Sequence, residues 1–320
     1  MLENSKMKTM VILERDIYPV LTEGVGSLLK KIPAEDIKDV EEIRIRAEKP
    51  LMVFKCGRDY FVGRDGRISL IPSNAFVLDR SEIEKILQFM CNYSIYAVEE
   101  ELKQGFLTLR GGHRVGLCGR AVIENGRIKT IKNISGINIR IAKEIKGCAR
   151  EIVGLLYGDR LKHTLIASPP GCGKTTLLRD AIRILSSEGG NGRDGYKVGV
   201  VDERSEIAGC YMGIPQRDVG IRTDVLDACP KAQGIIMLLR SMSPEIIAVD
   251  EIGSIDDAEA IENAINSGVV VIATVHGRDM EEIVKKPGVK SLIERKSFER
   301  IVILSGKNGP GTIEKIIEVK

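Results

Sequence analysis

The stretch Ala167-Ser168-Pro169-Pro170-Gly171-Cys172-Gly173-Lys174-Thr175-Thr176 follows the apolar run Thr164 to Ala167 and opens a helical pattern that continues from Thr175 to about Leu185. Strand, Pro/Gly turn and helix in that order make a phosphate-binding loop, because a helix N-terminus and exposed backbone N–H groups suit a phosphate chain. Gly171 and Gly173 let the backbone approach without a Cβ, Lys174 can reach the β and γ phosphates, and the Thr175 hydroxyl can ligate Mg²⁺. Thr176 is expected to start the helix. Ser168, Pro169, Pro170, Gly171, Cys172, Gly173, Lys174, Thr175 and Thr176 together form the expected cradle, and the cofactors they imply are ATP and Mg²⁺. Ser168 stands where the usual pattern has Gly. The bland alternative is a Gly-rich turn that caps an ordinary helix.

Downstream of the loop, strands and helices alternate, as they do in a parallel sheet with helices on its faces. Strands are expected at Thr164 to Ala167, Lys197 to Asp202, Ile246 to Asp250, Val269 to Thr274 and Arg300 to Leu304, with helices at Thr175 to Leu185, Pro230 to Arg240 and Asp256 to Asn266. Ligands of such sheets sit beyond the carboxyl ends of the strands, so the polar residues there are the candidates. Ile246-Ile247-Ala248-Val249 runs into Asp250, a candidate metal ligand, and Glu251, a candidate to polarise the attacking water. Val200-Val201-Asp202 leads to Glu203, which reads either as a second water-orienting carboxylate or as a structural partner of Arg204 or Arg222. A third strand ends with Thr274 and His276, placed to sense a γ-phosphate. Each of these has a duller reading, a solvated acidic turn or a structural histidine.

Upstream, Glu14 to Ile32 has helical periodicity, and Pro33 stops it. Glu42-Ile43-Arg44-Ile45-Arg46 alternates as a half-exposed strand does, Leu51 to Lys55 continues it, and a turn at Cys56-Gly57-Arg58-Asp59 leads to Tyr60 to Val62. Ser81 with Glu84 three residues later suggests a capping box opening a helix through Cys91. Gly105 to Arg110, Arg114 to Val122 and Lys129 to Ile141 are strand-like, with turn signals at Gly111-Gly112 and Glu124-Asn125-Gly126. The expected architecture is therefore an α+β N-terminal domain with an antiparallel sheet, residues 1–145, followed by an α/β P-loop domain with a mostly parallel sheet, residues 146–320.

The 48 basic and 45 acidic residues leave a net charge of +3, too near balance to argue for nucleic acid as a partner. The absence of Trp and an aromatic content of 4% weaken any reading that needs base-stacking platforms. Seven Cys are scattered without a C-x-x-C pair, which fits reduced cytosolic thiols better than a zinc site or a disulfide framework. Glu3, Glu14, Arg15 and Asp16 interrupt the first residues against a signal peptide, and no apolar run approaches the roughly 20 residues of a membrane-spanning helix. Any work at a membrane would go through a partner.

The C-terminal region resembles the secretion-superfamily ATPases, the RecA-like traffic ATPases of type II and type IV secretion and of pilus motors. The resemblance lies in the phosphate loop, in Val201-Asp202-Glu203-Arg204, in Leu239-Arg240 with Ser243-Pro244-Glu245-Ile246 and Asp250-Glu251, and in Ala273-Thr274-Val275-His276-Gly277. Those motors usually have Gly where this chain has Asp250. Val201 to Gly209, Pro215 to Gly220, Arg222 to Asp227 and Arg240 to Pro244, with Ile43 to Arg46 and Arg110 to Gly116 upstream, more narrowly resemble the stage III sporulation AA family of endospore-forming bacteria. That resemblance implies a mother-cell ATPase, cytoplasmic and peripheral to the membrane, that serves a channel between mother cell and forespore. The wider one implies a hexameric ring and arginines from the N-terminal domain completing the nucleotide site. By position these are Arg120 and Arg140, with Arg222 and Arg240 as weaker alternatives, Arg being always ionised and forked for a developing phosphoryl charge. The competing functions are a RecA-like nucleic-acid-handling ATPase, for which Arg217, Arg222 and Lys285-Lys286 are the basic candidates, and a non-hydrolysing nucleotide-dependent scaffold.

Overall fold

Alternation in Glu42 to Arg46 becomes part of an antiparallel sheet in the computed structural model, which describes residues 9–94, 98–189 and 194–319. The chain separates into two units, Met1–Lys143 and Glu144–Lys320. The first holds β1 (Val40–Arg46), β2 (Met52–Lys55), β3 (Arg58–Val62), β4 (Ile68–Ser69), β5 (Phe106–Leu109), β6 (His113–Glu124) and β7 (Arg127–Arg140). Their order is β4-β3-β2-β1-β7-β6-β5, with antiparallel pairing throughout. Two hairpins close on two-residue turns whose residues both have positive φ, Cys56-Gly57 and Asn125-Gly126, the geometry that matches the twist of the strands it joins. Ile43, Ile45, Val115, Leu117, Ile137 and Ile139 point to one face and are buried with Leu13, Ile17, Leu29, Ile83 and Ile86. Arg44, Arg114 and Arg140 occupy the alternate positions, on the other face.

Two local expectations are corrected here. The helix expected over Glu14 to Ile32 is broken into a turn at Leu13–Ile17, a 3₁₀ turn at Tyr18–Val20 and a helix at Glu23–Lys30. Pro19 lacks the N–H a continuous helix needs, and Leu21 is extended. The later helix begins at Arg80, not after Ser81, because the Asp79 side chain accepts from the Glu82 backbone N–H at 2.9 Å.

The second unit holds β8 (Thr164–Ser168), β9 (Val198–Asp202), β10 (Thr223–Asp227), β11 (Ile246–Val249), β12 (Val270–His276), β13 (Arg300–Ser305) and β14 (Thr312–Glu318). The order is β10-β9-β11-β12-β8-β13-β14, and every pair is parallel except β13 with β14. Its central strands are apolar on both faces, as parallel strands covered on both sides are. Ile166, Val200, Ala248 and Ile272 pack with Leu178, Ile182 and Leu185 of the helix Lys174–Ser187. Leu165, Val201, Ile247, Val249 and Ala273 face the helices Lys231–Ser241 and Ile255–Asn266. The second of these opens on a capping box between Ser254 and Asp257, which fixes the chain just beyond the carboxylates that end β11. The edge strands β10 and β14 and the helices Met280–Ile283 and Pro287–Glu294 were not expected from the sequence.

Candidate nucleotide site

Parallel pairing in register brings the carboxyl ends of β8, β9, β11 and β12 to one end of the sheet, with His276 opposite Ser168 and Val249 opposite both Val201 and Ala273. Between β8 and the next helix the loop turns through Gly171 and Gly173, both with φ above +70°, a region that strains any residue bearing a Cβ. Gly173 is the N-cap, so the helix starts at Lys174, two residues before the expected Thr176. Ser168 is buried and its hydroxyl donates to the Pro169 carbonyl at 2.8 Å. The turn between β13 and β14 props the loop from outside: the Gly311 N–H donates to the Cys172 carbonyl at 2.9 Å, and Pro310 lies against Gly173.

Lys174 is only 5% exposed. Its ammonium lies 2.8 Å from His276 Nδ1 and 3.7 Å from Glu251 Oε1. The Thr175 hydroxyl donates to Asp250 Oδ2 at 2.5 Å, and the Thr274 hydroxyl donates to Asp250 Oδ1. Thr274 also accepts the Glu251 backbone N–H at 3.0 Å, which helps hold Glu251 at φ +56°. A left-handed conformation at a non-glycine residue costs on the order of 1–3 kcal/mol and persists only when its surroundings fix it. Glu251 Oε1 sits 2.5 Å from His276 Nε2, and Oε2 takes the Arg204 guanidinium at 2.9 Å. Burial works against the Glu251 carboxylate, but His276, Lys174 and Arg204 outweigh it and hold its pKa below the ordinary value.

Asp202 is a structural centre. Nearly buried, it accepts backbone N–H groups from Glu206 at 2.9 Å, Ile207 at 3.0 Å and Ala208 at 2.8 Å, and so shapes the turn that carries Glu203 and Arg204. Burial still raises its pKa. Glu203 pairs with Lys231 rather than with Arg204 or Arg222, although it borders the same small cavity as Asp250, Glu251 and Arg204. Arg222 is used locally, donating to the Ser186 carbonyl at 2.9 Å. Arg179, 4% exposed, donates to the Ile207 and Glu206 carbonyls, and burial with Arg217 nearby brings its pKa down to about 10.

The family profile described as sporulation stage III, protein AA matches residues 13–320. The chain belongs to that family. It is 44% identical to the stage III sporulation protein AA of Bacillus subtilis (strain 168) over 95% of this chain and 94% of that protein. Its fold is similar to that of the ATPase DotB of Legionella pneumophila, with a TM-score of 0.56 and 14% identity over 89% of this chain and 77% of that one. The pilus retraction motor PilT, solved with bound ADP, gives a TM-score of 0.55 and 15% identity over 84% of this chain and 75% of that one. The fold is thus similar to those of DotB and PilT, with an antiparallel sheet in the first unit and a mostly parallel one in the second.

Within this sporulation-family chain, Lys174, Thr175, Asp250, Glu251 and His276 converge on one end of the second sheet. Arg120 and Arg140 do not converge with each other. Arg140 faces Arg114 across β6 and β7, whereas Arg120 lies six residues further along β6, opposite Lys132, which at about 3.3 Å per residue is roughly 20 Å away. Arg140 has a partner in Glu42 at 3.7 Å and a side chain 64% exposed. Lys286, a candidate for a basic channel in the sequence, instead lays its stem beside Gly253, and burial, followed by Lys174 among its neighbours, lowers its pKa while Glu251 raises it. Three features escaped sequence reasoning: the Arg204–Glu251 pair, the prop from Gly311 and the place of Lys286. Only the Arg that follows Asp202-Glu203 carried a signal, and its partner lies 47 residues away.

Proposed function

We propose that the chain binds Mg²⁺ and ATP at the loop Ser168 to Thr176 and hydrolyses the nucleotide, acting as a motor or assembly ATPase. The observation that carries this is the meeting of the Thr175 hydroxyl with Asp250 at 2.5 Å while Lys174 lies against His276 and Glu251. One hydroxyl and one carboxylate are the oxygen donors that Mg²⁺ takes from proteins when phosphates complete its shell, so Thr175 and Asp250 would hold it. There the cation supplies neutralisation of charge on the β and γ phosphates. Lys174 shares that task, and Gly171 and Gly173 let backbone N–H groups approach the phosphates. Glu251 orients water toward the γ-phosphate, and Thr274 fixes both it and Asp250. His276, touching Lys174 and Glu251 together, links phosphate contact to the water-orienting carboxylate. Glu203 supports the cavity through Lys231.

The family and the DotB and PilT likenesses favour a ring-shaped homo-oligomer, a hexamer, in which residues 1–145 act as a domain that lends an arginine to the nucleotide bound by residues 146–320. Given their separation along the sheet, Arg140 and Arg120 cannot both meet one γ-phosphate, and Arg140, at the end of β7, is the first choice. Among the described residues no helix is long and apolar enough to cross a membrane. Service to a sporulation channel would therefore run through membrane partners at its cytoplasmic face. The test is a pair of variants assayed with Mg²⁺ and ATP: Lys174→Ala loses nucleotide binding, and Glu251→Gln keeps it but turns over roughly a hundredfold more slowly or less. Undiminished phosphate release from Glu251→Gln would remove Glu251 from this role.

A further inference from the structure

Glu251 has both carboxylate oxygens engaged. Oε1 serves His276 at 2.5 Å and, more distantly, Lys174 at 3.7 Å, while Oε2 serves Arg204 at 2.9 Å. The three partners differ in freedom. Lys174 begins the helix of the phosphate loop and is 5% exposed, and His276 ends β12. Arg204 projects from the turn after β9 with a side chain 63% exposed. The turn itself is fixed, because Asp202 holds three of its backbone N–H groups and Ser205 donates to Asp227 at 2.6 Å. Only the guanidinium end of Arg204 is at liberty, and an ion pair exposed to that degree is cheap to break. The Glu251 backbone, pinned to Thr274, leaves only the side chain to move.

We propose that Arg204 is a positioning residue that holds the Glu251 side chain in a resting orientation, and that its departure releases the carboxylate to water at the γ-phosphate. The proposal rests on Glu251 being the water-orienting group. In the step so released, the water oxygen forms a bond to the γ-phosphorus while the bond from that phosphorus to the β–γ bridging oxygen breaks. ADP and inorganic phosphate leave, and the proton from water passes to Glu251. Lys174 and His276 have phosphate oxygens to turn to once nucleotide is present. Arg204 is the contact that must be released separately, so it is the point at which a neighbouring acidic group could set the rate without touching nucleotide.

The experiment compares full-length wild type, Arg204→Ala, Arg204→Lys and Arg204→Ala/Glu251→Gln for phosphate release over a range of ATP concentrations, with nucleotide affinity measured separately by a fluorescent ATP analogue. Loss of the restraint raises kcat about threefold, the factor expected from removing one exposed pair, with KM and nucleotide affinity unchanged. Arg204→Lys retains most of the restraint, and Glu251→Gln abolishes the gain. If the wild type turns over too slowly for steady-state assay, phosphate release is followed in single turnover with enzyme in excess until it is measurable, and Arg204→Ala is again about threefold faster. A fall in kcat, an unchanged kcat, or silence in Arg204→Ala that still binds nucleotide each overturns the restraint. Retention of the wild-type rate in Glu251→Gln alone would instead strike the hydrolytic role of Glu251, which separates the two failures.

Discussion

Asp202 illustrates how a single residue supports a site by shaping the backbone beside it. Its carboxylate is surrounded by three backbone donors, and a buried N–H left without an acceptor costs on the order of 1–3 kcal/mol. Asp202→Ala is expected to lower the unfolding midpoint by several degrees in a thermal melt followed by circular dichroism, and Asp202→Asn, which keeps one acceptor oxygen, by less. At this scale the sequence disclosed the residues whose chemistry is local. Gly-Lys-Thr after a strand, and Asp-Glu at the end of an apolar run, announce themselves by spacing. The pairings Arg204 with Glu251 and Lys231 with Glu203 do not, because each joins residues 28 or 47 positions apart and depends on which strands lie side by side. The same holds for Lys286, which composition would place on a basic surface.

Between elements, Asp180 on the helix Lys174–Ser187 accepts the Ala149 N–H at 2.8 Å and is paired with Arg183 at 2.8 Å, and so ties down the start of the helix Arg150–Leu156. Burial opposes its charge, but the bonds from Ala149 and Gly147 and from Arg183 keep its pKa below the ordinary value. Because the folded-state value is depressed, its stabilisation is complete above the unfolded carboxylate pKa, about 3.9, and is lost as pH falls through the folded value. Amide exchange at Ala149 is expected to speed up over that acid window and to lose the dependence in Asp180→Asn. Central elements were legible because their burial demands apolar residues on both faces. The edge strands were not: Thr223-Asp224-Val225-Leu226-Asp227 and Thr312 to Glu318 face solvent enough to carry charges, so neither apolar run nor clean alternation marks them. Pro19 broke a helix whose periodicity continued past it, since periodicity reports burial and not backbone hydrogen bonding.

Across the whole molecule, the buried clusters respect the division of the chain. One draws only on residues between Leu13 and Ile141, and the other two only on residues between Ala149 and Leu304. A unit with its own core and its own phosphate loop has what it needs to fold by itself. Residues 144–320 expressed alone are expected to melt cooperatively and to bind ATP with Mg²⁺, measured by calorimetry, while phosphate release falls if the first unit supplies the arginine. Failure of this fragment to bind ATP although folded would mean that residues before 144 are part of the binding surface itself.

The order of strands also governs when the nucleotide loop can exist during synthesis. β8, which delivers the loop, is the first strand of its sheet to be made, yet its two neighbours are β12 and β13, and the loop's outer support comes from Gly311. A chain emerging from the ribosome therefore carries its Gly-Lys-Thr sequence for about a hundred residues before β12 arrives, and for longer still before β13 does. Pairings so distant in sequence form late and slowly. On the proposed reading of the site, ATP would therefore stabilise only chains already finished through β14, because only they present the seated loop.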